Sequence, residues 1–332
     1  MRFFLKLQLI GIWCINEWMR SGSPSDVRIV ELGPGRGTLM DDVLRAFSKL
    51  KMRNVMSVHL VEVSPTLSEI QMRKLADPLE ECLTSSNENW YQRCKSIHGP
   101  EVSWYKELSD VPKGFSFYVA HEFFDALPVH IFQKKNQVWH EMLIDVDDSI
   151  DAEHHLRFVL SFASTAASKL LLHKELENDC ETVEISPQTG IIVENITKRI
   201  QEDGGFALIA DYGYSGEKGL TFRAFRRHQL HHPLCEPGTA DLTADVNFSY
   251  FKRIIDDRVT TLGPISQNTF LQNMGITVRL QMLLKNASPD VQESLISGYK
   301  MLTEPQQMGE KFKFFAFMQH RDEYIPAGFT PL

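Results

Sequence analysis

Arg28-Ile29-Val30-Glu31-Leu32-Gly33-Pro34-Gly35-Arg36-Gly37-Thr38-Leu39 decides the fold. Residues 28–32 read as a short buried strand, the alternate glycines as a tight turn, and Thr38 as the opening of a helix expected over 38–50. Glycines accept positive φ and let the backbone approach a ligand, while the first turn of the helix leaves amide groups free. A dinucleotide turn reads G-x-G-x-x-G, but here position 38 is threonine and the spacing is G-x-G-x-G. Glu31 would repel a pyrophosphate, and it suits the sulfonium and ammonium of S-adenosylmethionine. A nicotinamide-dependent dehydrogenase is thus the disfavoured reading of this turn.

The next unit extends the pattern. Ser57-Val58-His59-Leu60-Val61-Glu62-Val63-Ser64 is a second strand whose terminal Glu62 suits the two hydroxyls of a ribose. A helix is expected over 67–76, then a polar, irregular surface insertion over 77–100 that carries Cys82 and Cys94. Residues 102–105 and 115–120 read as further strands, the latter ending in His121-Glu122-Phe123-Phe124-Asp125-Ala126-Leu127-Pro128. Two strand-like runs, 138–146 and 156–161, mark a β excursion, followed by a helix over 186–202. A fifth buried strand, 205–214, carries Asp211 near its end, and 215–249 reads as loop. Residues 260–263 and 311–318 supply the last strands, with a helix through 273 between them. The fold class is therefore α/β, with inserted helical and β segments. The whole chain, 1–332, is expected to form one elaborated domain with core sheet over 26–125 and 204–320 and an insertion over 130–200.

Composition narrows the partners. The chain has 332 residues, 43% hydrophobic and 23% charged, which suits a large packed core. A net charge of -8 argues against a protein that grips nucleic-acid phosphates and favours a basic partner. Five cysteines without a C-x-x-C pair indicate neither a disulfide scaffold nor a zinc site, so reduced thiols are expected. His228, His231, His232 and Cys235 match no zinc spacing, and no metal is expected. The apolar start, interrupted by Lys6 and Gln8 and followed by Glu17, reads as a packed helix over 3–20. It is too short to span a bilayer and makes a poor signal peptide or presequence.

Methyl transfer from a sulfonium requires a nucleophile aimed at the methyl group and a site that excludes water, with no metal. Glu122, Asp125 and Asp211 are the acids at strand ends that can orient such a nucleophile. A guanidinium is always protonated and planar, and carboxylates can grip its fork. Glu122 is the first candidate; Asp125 is either catalytic or the cap of a helix begun by Ala126-Leu127-Pro128. His121 is a weak candidate base, because imidazole alone cannot deprotonate guanidinium. Phe123 and Phe124 read as core or wall. Residues 237–248, with Asp241, Thr243 and Asp245, read either as a shaped loop over the site or as a surface loop of Asx turns.

Glu31-Leu32-Gly33-Pro34-Gly35-Arg36-Gly37-Thr38, Val61-Glu62-Val63-Ser64, the run from His121 to Pro128, Asp211-Tyr212-Gly213 and the stretch from Gly238 to Phe248 together resemble the MidA-like class I methyltransferases. The resemblance runs from about Ile10 to His320. It implies a Rossmann-like class I methyltransferase sheet, mostly parallel with an antiparallel last strand. It also implies S-adenosylmethionine bound by Glu31, Gly33, Gly35, Gly37 and Glu62. The implied activity is symmetric dimethylation of an arginine in a core subunit of respiratory complex I, in the mitochondrial matrix. Family members carry a further N-terminal segment that lines the cofactor site, whereas Met1 to Gln8 stand here. The chain thus resembles a shortened form, and an assembly or scaffold protein that keeps the fold with little or no turnover is the alternative expectation.

Overall fold

The computed structural model describes residues 4–49, 56–149, 154–172, 180–216 and 219–330. The chain divides into two compact units, the first formed by Met1–Glu122, Glu194–Asp211 and Ile255–Leu332, the second by Phe123–Val193 and Tyr212–Ile254.

The first unit is built on a twisted sheet. Its strands in chain order are β1 (Val27–Leu32), β2 (Met56–Val61), β3 (Leu83–Thr84), β4 (Gln92–Lys95), β5 (Glu101–Tyr105), β6 (Ser116–His121), β7 (Gly205–Tyr214), β8 (Thr260–Ser266) and β9 (Phe312–Met318). Their spatial order is β8-β9-β7-β6-β1-β2-β5-β4-β3. The pairs β7/β6, β6/β1, β1/β2 and β2/β5 are parallel. β8 and β9 are antiparallel to each other, so the mostly parallel sheet ends with a reversed strand, as expected. The chain moves outward from β1 through β2 to β5, then returns to β6 on the other side. That reversal places a crevice outside the carboxyl ends of β1, β2 and β6, where an open α/β sheet binds its ligands.

Helix α1 (Phe4–Arg20) covers one face of the sheet, as its apolar pattern dictates. Residue 3, the expected start, lies outside the described residues. Trp13 is fully buried and meets Phe117 and Phe206 edge-on, with ring centroids 6.1 and 5.9 Å away. Its indole N–H donates to the Ala327 carbonyl at 2.9 Å, so the polar tip is satisfied inside the core. α2 (Thr38–Lys49) follows the glycine turn; residue 50, its expected end, lies outside the described residues. α3 (Pro65–Leu75) has proline in its first turn and Ser64 as N-cap, whose hydroxyl accepts the Leu67 amide at 3.3 Å.

Within 77–100, read from sequence as irregular, the structure forms the antiparallel hairpin β3–β4. The strands are too short and polar for a period-two pattern to register.

The second unit contains a four-stranded antiparallel sheet in the order Thr182–Ile185, His130–Lys135, Val138–Val146, Leu156–Leu160. Phe132, Trp139, Leu172 and Ile185 form its core cluster. Residues 215–249, read as loop, contain a second small sheet of Gln229–His231, Arg223–Arg226 and Asp241–Thr243. Its hairpin turns at Arg227 and His228, both with positive φ, 52° and 64°. Two successive positive φ values are what a right-twisted hairpin requires, and without Asn or Gly at either position the sequence hid it.

Candidate active site

The glycine turn takes the positive φ that its sequence predicts, 60°, 54° and 72° at Gly33, Gly35 and Gly37. The glycines do different work. A Cβ on Gly37 would lie 3.4 Å from the Gln71 Cα, so that glycine lets α3 pack against the turn. A Cβ on Gly35 would meet nothing within 4 Å, so that side of the turn faces open space where a ligand can approach the backbone.

Glu31 lies in the last two residues of β1, just before the turn, and is 2% exposed. Its Oε2 has no hydrogen-bond partner, and burial pushes its carboxyl up to about 8. A buried acid in this state is stabilised by a cation and destabilised by a second anion. The orphaned oxygen and the open cradle at Gly35 both fit a cationic ligand such as S-adenosylmethionine, with Glu31 facing the positive methionyl part.

Glu62 leaves β2 as the second expected ligand residue and is held rigidly. Its Oε1 accepts the Ser64 amide at 2.8 Å, and its Oε2 accepts the side-chain amide of Gln71 at 3.0 Å. The same Gln71 nitrogen donates to the Gly35 carbonyl at 2.8 Å, and its Oε1 accepts the Trp104 indole N–H at 2.9 Å. Gln71 is fully buried and ties the glycine turn, Glu62 and β5 into one network. Sequence reading missed it, because a glutamine inside an amphipathic helix carries no signal until its neighbours are known. Tyr91, also missed, donates its hydroxyl to the Glu62 carbonyl at 3.0 Å. Glu62, Val63, Ser68, Tyr91, Gln92 and Lys106 help line a cavity of about 410 Å³. Val63, beside the acid, is 77% exposed.

Glu122 follows β6 at a φ of 52°, unusual for a residue with a side chain, and its amide donates to the Ala210 carbonyl at 3.0 Å. The hydrogen bond to β7 holds the left-handed conformation that turns the chain out of the sheet. Glu122 Oε1 lies 4.0 Å from the Lys6 ammonium and 3.8 Å from His121 Nε2. Lys6 is fully buried on α1, with its ammonium 4.1 Å from the centre of the Phe312 ring. Burial pushes Lys6 down to about 8, opposed by the negative charges of Glu122 and Asp211. Asp211, near the end of β7, is fully buried. Glu122, Asp211 and Lys6 thus form an acid-rich cation site at the carboxyl edge of the sheet. His121 is held well below its ordinary range by burial and by Lys6, so it stays neutral and leaves the positive charge there to Lys6.

Asp125 belongs to the second unit. It sits in the single turn Phe124–Ala126, where no side chain caps the N-terminus. Its carboxylate accepts the Thr243 hydroxyl at 2.8 Å, and its backbone carbonyl accepts the Ala244 amide at 2.9 Å. Asp125 therefore anchors the 237–248 segment. In that segment Asp245 pairs with Arg223 at 2.6 Å, and its amide donates to the Thr221 hydroxyl at 2.9 Å. No group of three or more metal-ligating side chains occurs among the described residues.

A family model of S-adenosyl-L-methionine-dependent methyltransferases matches residues 9–265. The human "Protein arginine methyltransferase NDUFAF7, mitochondrial" is 49% identical over 95% of this chain and 71% of its own length. The Drosophila melanogaster protein named as its homolog is 46% identical over 97% of this chain and 76% of its own. A crystal structure from Burkholderia thailandensis bound to S-adenosyl-homocysteine superposes with a TM-score of 0.74, covering 98% of this chain and 78% of that one at 23% identity, and so shares the fold. With a family model matched over residues 9–265 and relatives nearly half identical along most of its length, the chain belongs to the S-adenosyl-L-methionine-dependent methyltransferases.

Proposed function

We propose that this methyltransferase modifies protein arginine, dimethylating it symmetrically in a core subunit of respiratory complex I within the mitochondrial matrix. The relatives named as mitochondrial protein arginine methyltransferases support the substrate class and compartment. No helix among the described residues is long and apolar enough to cross a membrane.

The observation that carries the reading is the acid-rich site of Glu122 and Asp211, which already holds the ammonium of Lys6. A site that stabilises one buried cation has the charge needed for another, and a guanidinium offers five N–H donors in a planar fork. S-adenosylmethionine, when bound, supplies an electrophilic methyl group. Gly33, Gly35 and Gly37 shape its cradle, Glu31 faces its positive charge, Glu62 accepts the ribose hydroxyls, and Val63 offers an exposed apolar side chain to the adenine. Glu122 accepts hydrogen bonds from the guanidinium and draws positive charge toward one side, so that another nitrogen presents its electron pair as the N–CH3 bond forms and the S–CH3 bond breaks. The proton that nitrogen sheds passes to the Glu122 carboxylate. Asp125 acts through the 237–248 segment that it anchors, as a positioning residue.

A second reading, an assembly protein that keeps the fold with little or no turnover, is favoured by the same Lys6, whose ammonium stands at the acids a substrate would use. Methyl transfer from labelled S-adenosylmethionine to arginine peptides of a complex I core subunit separates the two. Turnover by the chain, lost in Glu122→Gln with cofactor affinity retained, supports the enzyme. Cofactor binding without turnover in the chain and in Lys6→Met supports the assembly protein.

A further inference from the structure

Cys82 and Cys94, 12 positions apart in a segment that reads as irregular, flank the base of the β3–β4 hairpin. The ladder pairs Thr84 with Gln92 and Leu83 with Arg93, and the next rung in register is Cys82 with Cys94. The rung type follows from the hydrogen bonds. The Ser85 amide donates to the Tyr91 carbonyl at 3.2 Å, so bonded rungs fall at 85/91 and 83/93 and open rungs at 84/92 and 82/94. The Lys95 carbonyl, turned to the same edge, accepts the Asp77 amide at 2.9 Å and keeps that alternation. Open rungs of an antiparallel ladder bring Cα atoms to about 4.5 Å and side chains closest together. That spacing lies inside the range of about 4.4–6.8 Å that a disulfide spans. Both cysteines carry free thiols, and Cys82 lies close enough to push the Cys94 thiol up beyond what burial does.

The pair also has a place near the site. Side chains alternate along a strand, so Cys82 and Cys94 share a face with Thr84 and Gln92, which line the cavity beside Glu62. The cavity wall and the dithiol are therefore successive rungs of one ladder.

We propose that Cys82 and Cys94 form a peroxide-oxidisable dithiol whose cross-strand disulfide fastens the hairpin wall of the cofactor cavity. Cys82 is half-buried while Cys94 is buried, so a small oxidant reaches Cys82 first. Burial holds the Cys94 thiol well above its ordinary range, so Cys94 stays a protonated thiol while Cys82 meets the oxidant. In the first step the Cys82 thiolate attacks hydrogen peroxide; an S–O bond forms, the O–O bond breaks, and hydroxide leaves to take up the thiol proton as water. In the second, the Cys94 sulfur attacks the sulfenic sulfur, the S–S bond forms, the S–O bond breaks, and the hydroxyl leaves with the Cys94 proton as a second water. Two thiols are oxidised and one peroxide is reduced.

The test uses the full chain, reduced and then exposed to hydrogen peroxide, with remaining thiols alkylated after unfolding and the peptides mapped by mass spectrometry. The expected result is a Cys82–Cys94 linked peptide that dithiothreitol separates, with the other three of the five cysteines alkylated. In Cys82→Ser, Cys94 should stay alkylatable after the same exposure, and this variant serves if Cys94→Ser fails to fold. Hydrogen exchange at the amides of 83–85 and 91–93 should slow in the oxidised chain. Recovery of Cys82 as a sulfinic or sulfonic acid with Cys94 still alkylated would overturn the pairing. Unchanged exchange in a linked chain would overturn the fastening of the wall.

Discussion

Binding of S-adenosylmethionine should expel a proton from Glu31. Burial holds this carboxyl at about 8, against an ordinary value of 4.5. At pH 7 roughly nine-tenths of the free chains therefore carry the proton. A positive charge arriving about 4 Å away, at an effective dielectric constant of about 20, contributes about 4 kcal/mol of attraction to the carboxylate. At about 1.4 kcal/mol per pH unit, that returns the group to around 5 and leaves roughly 1% protonated. The expected release is thus roughly 0.9 proton per bound cofactor at pH 7. Calorimetric titrations in buffers of differing ionisation enthalpy read this number as the slope of observed enthalpy against buffer enthalpy. Glu31→Gln should flatten the slope and weaken binding by the lost charge pairing. A flat slope in the unsubstituted chain, or an equal slope in both, would show that Glu31 does not face the cationic part of the ligand.

The same group sets a pH dependence of folding. Its folded value lies above its unfolded value, so its contribution is fully present below pH 4.5 and is lost as pH rises through about 8. Denaturant titrations of the cofactor-free chain between pH 5 and 8 should show stability falling, with Glu31→Gln removing that part of the slope; an unaltered slope counts against the buried acid. Gly35→Val should fold, since a Cβ there meets nothing within 4 Å and the left-handed φ of 54° costs about 1–2 kcal/mol. Its branched side chain fills the space that the ligand needs, so calorimetry should find no cofactor binding, and retained affinity would remove the cradle. Gln71→Leu leaves the Gly35 carbonyl, Glu62 Oε2 and the Trp104 indole without their present partner. At about 1–3 kcal/mol for each buried group, the variant should lose several kcal/mol in denaturant unfolding as well as cofactor affinity, and a neutral result would mean the network is not held. Trp13→Ala should cost about 3–5 kcal/mol by the same measurement, with a loss under 1 kcal/mol contradicting the packing of α1 against Phe117 and Phe206.

Much of this architecture was legible because it rests on local rules. The glycine turn from Gly33 to Gly37, the acids near the ends of β1 and β2, and the alternation of strand and helix each follow from period, turn chemistry and the position of a charge at a strand end. The hairpins were not legible. Leu83–Thr84 is two residues long, and the turn at Arg227 and His228 uses residues that seldom adopt positive φ, so neither left a pattern.

The sequence by itself determined the fold class, the ligand type and Glu31, Glu62 and Glu122 as residues to watch, because those depend on chemistry carried within a few positions of the chain. Tertiary structure alone decided what each of them meets. Gln71 joins Gly35 to Glu62, Lys6 comes from the first helix to face Glu122, and the β3–β4 register puts Cys82 one rung beyond the Leu83/Arg93 pair, in line with Cys94. These pairings depend on register and helix packing, which bring together residues separated by 9 to 116 positions. No local window contains them, because side-chain partners across a sheet or beneath a helix are fixed only when the whole core closes.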